Sequence, residues 1–276
     1  MISSLISRQL AAEPTYDRFS TVMDKWGYTW EPVEVHTDDD YILTTFHITG
    51  KVNESPIDPK DTLGSVLIQH GHTQDAASWL TGYGDNKPFH LQLVDEGYDI
   101  WLGNNRGTEY SRGHHLYTAD DAQFWDFDFT DMGMYDDPAN ISAVKAATGS
   151  DKITYVGYSQ GTIQMHYALS HDDKGFYADN LHRVIQLAPC FYPNVPDLIL
   201  PFVNGGVMRL GDFGITHLGD TPSWDQDLQT IYENVDIFTY EFLSGFAGKP
   251  AVSVKSIQLW TQLGMNNEFE EPVTMD

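Results

Sequence analysis

The amino-acid sequence predicts an α/β fold built on a mostly parallel sheet with helices on both faces. Three features indicate it: short β-rich apolar runs recur, segments with helical periodicity lie between them, and no internal repeat or linker divides the chain. Strands that alternate with helices are typical of parallel sheets. With 276 residues, 41% of them hydrophobic, one large domain with an inserted cap fits better than two domains.

Five segments are predicted to be β-strands. The first alternates along its length, the second is a nearly continuous apolar run, and three shorter runs follow. These strands are residues 41–48, 63–69, 98–102, 153–157 and 184–187. Helical periodicity predicts three helices, the first two of which end before a glycine. These helices are residues 89–96, 138–148 and 162–169.

The charge of the chain excludes one class of partner. The formal net charge is −25 with only 15 Lys and Arg residues, whereas nucleic-acid binding depends on basic side chains that displace counterions from the phosphates. We therefore expect no nucleic-acid partner. The same charge repels anionic membranes at neutral pH and relaxes in acid as carboxylates become protonated, which is a weak indication of service in an acidic compartment.

Targeting and redox signals are few. Cys190 is the only cysteine, so no disulfide can form within the chain. Residues 1–13 are too short and too interrupted by polar residues for a signal-peptide core. No apolar run approaches the length that spans a bilayer. We therefore expect no signal peptide within the chain and a protein that is soluble or peripheral to membranes.

The strongest functional signal is the pentapeptide Gly-Tyr-Ser-Gln-Gly at residues 157–161. It follows an apolar strand and precedes a helix, which is the context of a nucleophile elbow, where a serine lies on a sharp strand-to-helix turn. Gly157 and Gly161 avoid the side-chain clashes that such a turn creates, and the helix start favours developing negative charge. We therefore predict Ser159 as the nucleophile of an acyl-transfer reaction.

Two residues are candidates for an oxyanion hole, which needs the backbone N–H after the nucleophile and another from the loop after an earlier strand. Gln160 occupies the first position, and the run Gln-His-Gly-His at residues 69–72 lies in the second. We predict the backbone amides of Gln160 and His72 as the donors. An alternative makes His70 and His72 metal ligands, but no suitable third ligand accompanies them, so no metal or cofactor is predicted.

A general base for Ser159 is harder to find. A hydrolase of this kind requires the order serine, acid, histidine, with the acid and histidine after apolar strands. The histidines after Ser159 are at positions 166, 171, 182 and 217, and none follows such a strand with an acid before it. His217 with Asp197 or Asp212 is a poor substitute. We therefore assign no catalytic aspartate or histidine in this chain.

With these residues identified, the chain resembles the gastric and lysosomal acid lipase family, whose members carry a partial α/β-hydrolase lipase region at the N-terminal end. The most specific marker is the run Gly-Tyr-Asp-Ile-Trp-Leu-Gly-Asn-Asn-Arg-Gly at residues 97–107, with Tyr-Ser-Arg at 110–112 behind it. Further matching segments are residues 26–28, 33–35, 39–43, 69–71, 124–127 and 250–253. Two positions depart from the pattern: Tyr158, where the family usually has histidine, and Asp40, where it usually has glycine.

The resemblance implies an α/β-hydrolase fold with a cap insertion. It also implies hydrolysis of lipid esters, either acylglycerols or sterol esters, by a lysosomal or secreted protein in transient contact with a lipid interface. The family has its catalytic aspartate and histidine on strand ends that follow the cap, and no residues of this chain match them. We therefore expect a C-terminally truncated fragment that lacks the last strands of the sheet and is nearly inactive alone.

Two alternatives stay open: an inactive, lipid-binding relative of lipases, and a general esterase or peptidase of the same fold.

We expect one domain over residues 1–276, divided into three regions. Residues 20–60 correspond to the N-terminal lipase region, and residues 61–192 to the core sheet with the nucleophile elbow. Residues 193–276 are predicted to be a cap or lid, because prolines and glycines interrupt short apolar pieces and no clean buried strand appears there.

Overall fold

The structure is a computed structural model that describes residues 16–81, 83, 85–190, 210, 215, 217–218 and 252–253. It takes in the predicted lipase region, residues 20–60, and nearly all of the predicted core, residues 61–192. Nearly all of the predicted cap, residues 193–276, lies outside the described residues, so the cap stays a prediction.

Seven strands form one mixed sheet. They are β1 (Tyr28–His36), β2 (Tyr41–Lys51), β3 (Ser65–Gln69), β4 (Asp99–Gly103), β5 (Gly113–His114), β6 (Ile153–Tyr158) and β7 (Leu181–Leu187). Their order is β1-β2-β4-β3-β6-β7, with β5 paired to β2. Because β2 is antiparallel to β1, β4 and β5 while β4, β3, β6 and β7 are mutually parallel, only β2 runs against the others. The predicted mostly parallel sheet is confirmed.

Seven α-helices accompany the strands within the described residues. They are α1 (Asp17–Trp26), α2 (Ala76–Trp79), α3 (Phe89–Asp95), α4 (Phe129–Asp131), α5 (Asp137–Thr148), α6 (Gln160–Ser170) and α7 (Phe176–Asn180). Two 3-10 turns, Pro59–Asp61 and Ala122–Trp125, and a π-helical turn, Met132–Asp136, add to them. No helix in this part of the chain is long and apolar enough to cross a membrane.

All five predicted strands and all three predicted helices are present, with ends shifted by at most three residues. The sequence analysis did not predict β1, in which Pro32 interrupts the β-rich pattern. Proline is tolerated there because β1 lies at the edge of the sheet and pairs with β2 alone. In the predicted cap, where no strand was expected, β8 (His217–Leu218) and β9 (Val252–Ser253) form a short antiparallel pair.

The core occupies both faces of the sheet. Along β3, Val66 and Ile68 point into a cluster that includes residues of α1, α2 and α3, whereas Leu67 between them packs with residues of α5 and α6. Alternation along one strand therefore serves two layers of helices. This arrangement confirms the prediction of helices on both faces, and each fully buried aliphatic side chain contributes about 1.5–3 kcal/mol.

One buried arginine joins the loop after β4 to two other parts of the chain. Arg106 is only 2% exposed and donates to Asp136 through Nε at 2.8 Å and to Asp39 through both terminal nitrogens at 2.6 and 2.9 Å. Its guanidinium lies 3.9 Å from the ring centre of Tyr41. Burial by itself lowers the pKa of Arg106, but the carboxylates of Asp136 and Asp39 raise it by a larger amount. The guanidinium group therefore stays charged. In the adjoining turn, Asp40 adopts a φ of 74°, the left-handed conformation that glycine favours and aspartate tolerates.

A second polar cluster joins β1, β2 and β4. His47 stacks on Trp101 with ring centres 4.0 Å apart, and its Nε2 donates to Asp99 Oδ1 at 2.7 Å. Its Nδ1 lies 3.1 Å from Glu31 Oε1, so both ring nitrogens face carboxylates and both carry protons. Asp99 is fully buried and also accepts from Trp101 Nε1 at 2.7 Å. Burial lowers the pKa of His47, but the hydrogen bonds and charges of Asp99 and Glu31 raise it above its ordinary value.

This cluster predicts a pH-dependent contribution to stability. Because the pKa of His47 is raised on folding, its stabilisation is fully present below the unfolded pKa of about 6.5 and is lost as pH rises through the folded value. His47→Gln is therefore expected to lower the free energy of unfolding by about 2 kcal/mol at about pH 5 and by clearly less at about pH 9. Urea denaturation measures this, with the exposed His171→Gln as control. An equal loss at both pH values would contradict the ion pair.

Candidate active site

Ser159 lies on a strained turn between β6 and α6. Its φ is 47° and its ψ is −112°, a conformation that costs a residue with a Cβ about 1–3 kcal/mol. Two neighbours hold the turn: Ser159 N–H donates to the carbonyl of Leu187 at 3.0 Å, and the Ser159 carbonyl accepts from the hydroxyl and amide of Thr162 at 2.6 and 2.9 Å. The turn therefore stands where the sequence predicts it, at the carboxyl edge of the sheet.

The two glycines of the motif stand where no side chain fits. A Cβ added to Gly157 would lie 2.4 Å from the carbonyl oxygen of Gly161. A Cβ added to Gly161 would lie 2.8 Å from the carbonyl oxygen of Gln69 at the end of β3. The start of α6 is thus pressed against both β6 and β3, and main-chain atoms make the contact.

The loop after β3 lies directly against Ser159. β3 and β6 are neighbours with Gln69 opposite Gly157, so both strands end at the same edge of the sheet. A Cβ on Gly71 would stand 3.1 Å from Ser159 Cβ, and His72 follows Gly71 in the chain. The structure therefore brings together the predicted nucleophile, Ser159, and the predicted donor residues, Gln160 and His72.

His70 is buried, and both of its ring nitrogens are used within the protein. Its Nδ1 lies 2.8 Å from the carbonyl oxygen of Gly71 and donates to it, while its Nε2 accepts from the backbone N–H of Asn105 at 3.1 Å. This pattern requires a neutral ring, and burial lowers the pKa of His70. The alternative of His70 as a metal ligand leaves no nitrogen to bind the ion. Among the described residues, no group of three or more ligating side chains could hold a metal.

His72 contacts the second predicted donor residue through its side chain. Its Nδ1 lies 2.6 Å from Gln160 Oε1. Burial lowers the pKa of His72 to about 4, so the ring stays neutral in all but strongly acidic solution. Gln160 is only 3% exposed, and its Nε2 donates to Met132 Sδ at 3.2 Å. The side chains of both residues are therefore held in place beside the turn.

A buried polar network lies beneath α6. Gln164 Nε2 donates to Asp137 Oδ1 at 2.8 Å, and Gln164 Oε1 accepts from Asn105 Nδ2 at 3.0 Å. The hydroxyl of Tyr155 donates to the carbonyl of Gly161 at 2.9 Å and lies 3.3 Å from Asp137. Burial raises the pKa of Asp137 well above its usual range, a shift that favours the uncharged form of its carboxyl group. Because Asn105 also bonds His70, the network links the turn to the loop after β3.

Two residues at the site were not predicted. Cys190 Sγ lies 3.7 Å from Ser159 Oγ, because the chain passes the turn just after β7. Gln74 Oε1 accepts from the Gly71 amide at 3.1 Å and from the indole of Trp79 at 2.8 Å, and so supports the loop from the other side. The position of Cys190 just beyond a predicted parallel strand was the available signal, since such strands end at one edge.

An ion pair ties the N-terminal region to the loop after β3. Arg18 of α1 contacts Asp75, and it also lies 3.0 Å from Glu109. Asp75 is fully buried and caps α2 by accepting from the Ser78 amide at 2.8 Å. The position of the loop therefore depends on α1 as well as on the sheet.

The histidines that follow Ser159 do not approach it within the described residues. The only side chain there in hydrogen-bond reach of the Ser159 hydroxyl is Cys190. His171 bonds to the main chain one turn back in α6. His217 stacks on Trp125 with ring centres 4.4 Å apart, and burial lowers its pKa to about 4. The two aspartates considered as its partners lie outside the described residues.

Two family models match the chain. One is described as a partial alpha/beta-hydrolase lipase region and matches residues 19–83, and the other is described as the alpha/beta hydrolase fold and matches residues 64–214. The first match contains all of the lipase region predicted at residues 20–60.

Curated relatives are similar over 58% to 67% of the chain. Gastric triacylglycerol lipase of Mus musculus is 40% identical over 166 residues, which are 58% of this chain and 41% of that protein. Lysosomal acid lipase/cholesteryl ester hydrolase of Macaca fascicularis is 38% identical over 198 residues, which are 67% of this chain and 48% of that protein. The chain thus spans less than half the length of these relatives.

The packing at the turn predicts an unusual effect of alanine. On helix propensity alone, Gly161→Ala stabilises a helix by about 1 kcal/mol. In this structure, however, the new Cβ would clash with the main-chain oxygens of Gln69 and His70, which can move only if β3 shifts. We expect a net loss of about 1–3 kcal/mol in the free energy of unfolding, together with slower labelling of Ser159 by a fluorophosphonate. Gly149→Ala is the control, because it has a φ of 71° with open space around it. It should cost about 1 kcal/mol and leave labelling unchanged. A stabilised Gly161→Ala variant would contradict the packing.

Proposed function

The chain belongs to the α/β-hydrolase fold family, and on that basis we propose that it carries the nucleophile and oxyanion hole of a serine carboxylic ester hydrolase of the acid lipase type. The observation that carries the proposal is the strained turn at Ser159, with the main chain of Gly71 packed directly against it. Strain of this size persists at functional sites, where the surrounding structure holds it.

In the proposed reaction, Ser159 Oγ attacks the ester carbonyl carbon and forms a tetrahedral intermediate. The backbone amides of His72 and Gln160 donate to its oxyanion. We propose that the serine proton passes to a histidine that is not one of the 11 in this sequence and that is oriented by a carboxylate, and this histidine then protonates the leaving alcohol. Water attacks the acyl-enzyme in the same way and releases the fatty acid. The scheme uses no metal or cofactor.

For the substrate we propose a lipid ester, either an acylglycerol or a sterol ester. The support is the similarity to proteins named gastric triacylglycerol lipase and lysosomal acid lipase/cholesteryl ester hydrolase. A lysosomal or secreted location and transient contact with a lipid interface are proposed on the same basis. Burial lowers the pKa of His70 and lowers that of His72 to about 4, which favours neutral rings at both positions.

A second candidate function is lipid binding without catalysis. It is favoured by one observation: among the described residues, only the Cys190 thiol reaches the Ser159 hydroxyl. A protein of this kind binds lipid esters and leaves them intact. A third candidate is a general esterase or peptidase of the same fold, which differs from a lipase in its preferred substrates.

Removal of the nucleophile separates catalysis from binding. Ser159→Ala in the full-length protein is expected to abolish fluorophosphonate labelling and to lower ester turnover about a millionfold, because the nucleophile of such a triad acts as one unit with its base. Ser170→Ala, at the exposed end of α6, is the matched control and should keep both. Wild-type protein that binds lipid ester but is neither labelled nor active would favour the binding protein.

Chain-length preference separates a lipase from a general esterase. We expect kcat/KM of the full-length protein to be higher for emulsified long-chain acylglycerols or sterol esters than for soluble acetyl esters, since the relatives carry lipase names. Initial rates on a series of esters and on a peptide substrate measure this. A preference for short-chain esters or peptides would count against the lipase proposal while leaving the role of Ser159 intact.

A further inference from the structure

We propose that the imidazole of His72 and the carboxamide of Gln160 form a clasp that holds the two oxyanion donors at their working separation. The inference rests on the proposed function, in which the backbone amides of the same two residues receive the oxyanion. The clasp gives both side chains a positioning role that the reaction scheme does not include.

The two donors come from parts of the chain that are far apart. His72 lies in the loop after β3 and Gln160 opens α6, 88 residues later. Two amides stabilise one oxyanion only when both stand about 2.7–3.1 Å from it, so a loop displaced by a few tenths of an ångström loses one donor. The side-chain hydrogen bond of 2.6 Å between His72 Nδ1 and Gln160 Oε1 joins these two residues directly.

The orientation of the amide group assigns the proton. Gln160 Nε2 faces Met132 Sδ at 3.2 Å, and since sulfur accepts but does not donate here, the NH₂ group belongs on that side. Gln160 Oε1 therefore faces His72, and because this oxygen can only accept, His72 Nδ1 carries the proton. The bond is shielded from water, since Gln160 is almost fully buried.

The backbone of His72 is fixed by a separate contact. The Gly71 carbonyl accepts from His70 Nδ1 at 2.8 Å, and this carbonyl shares one planar trans peptide with the His72 amide, so the His72 N–H points the opposite way. Thr73, the next residue, has a φ of 59°, a strained conformation for a β-branched side chain. The loop thus reverses sharply just after the donor, and the clasp holds it there against α6.

The test compares two variants of the same shape in the full-length protein. His72→Leu removes the donor, whereas His72→Asn restores an N–H close to the position of Nδ1, and both keep the backbone amide. We expect kcat on a soluble ester to fall roughly 10- to 100-fold in His72→Leu, with KM within about twofold. His72→Asn should recover most of this loss. His171→Leu, at the exposed residue that follows α6, is the control and should match wild type.

Gln160→Met tests the clasp from its other side and keeps the proposal testable if His72→Leu fails to fold. It should lower kcat to a similar extent, and His72→Leu with Gln160→Met should cost little more than either alone, because both remove one hydrogen bond. Inactivation by a phosphonate that mimics the tetrahedral intermediate should slow by the same factor.

Three outcomes would overturn the clasp: equal rates for the Leu and Asn variants, additive losses in the double variant, or a fall in kcat that merely follows the melting temperature. Wild-type protein without turnover that depends on Ser159 would overturn the proposed function and the clasp with it. Normal wild-type turnover with an unaffected His72→Leu variant would overturn the clasp alone.

Discussion

The active-site turn depends on a steric constraint: main-chain atoms of β3, β6 and α6 meet where no Cβ can stand. Gly157 and Gly161 let the start of α6 press against both strands, and Gly71 lets the next loop touch Ser159. This close approach of backbones brings the loop after β3 against Ser159 without any charged side chain. The strain at Ser159 is held by hydrogen bonds to Leu187 and Thr162, so the turn is a property of the packed sheet rather than of the pentapeptide alone.

Beneath this turn, polar groups are satisfied by neutral partners. Asn105 and Gln164 connect the loop that holds His70 to the buried Asp137 through hydrogen bonds, and burial lowers the pKa of His70 and raises that of Asp137. Buried networks of this kind are stable only when every member has a partner. Burial therefore shifts both pKa values in the direction that favours the uncharged form.

Charged pairs add to the strand pairing and the apolar packing that join the N-terminal region to the hydrolase body. There are three such pairs. Arg18 of α1 pairs with Asp75 in the loop after β3, and Asp39 in the β1–β2 turn pairs with Arg106 in the loop after β4. His47 of β2 pairs with Asp99 of β4. The chain has 15 Lys and Arg residues, and the two arginines in these pairs bind carboxylates within the protein rather than an anionic partner. Removing one partner of such a pair leaves a buried charge without its partner at Asp75, Arg106 or Asp99, so the lipase region and the core depend on each other.

The sequence alone determined the strands, the helices between them, and the strand-to-helix turn at Ser159, because these follow from local periodicity and from turn chemistry within a few residues. Local pattern missed β1, since an edge strand tolerates Pro32 and charged residues. Only the tertiary structure decided that Cys190 meets Ser159 and that the side chain of His72 meets that of Gln160. Such contacts join segments 31 and 88 residues apart, and they arise from strand order and side-chain rotamers that no short stretch of sequence encodes.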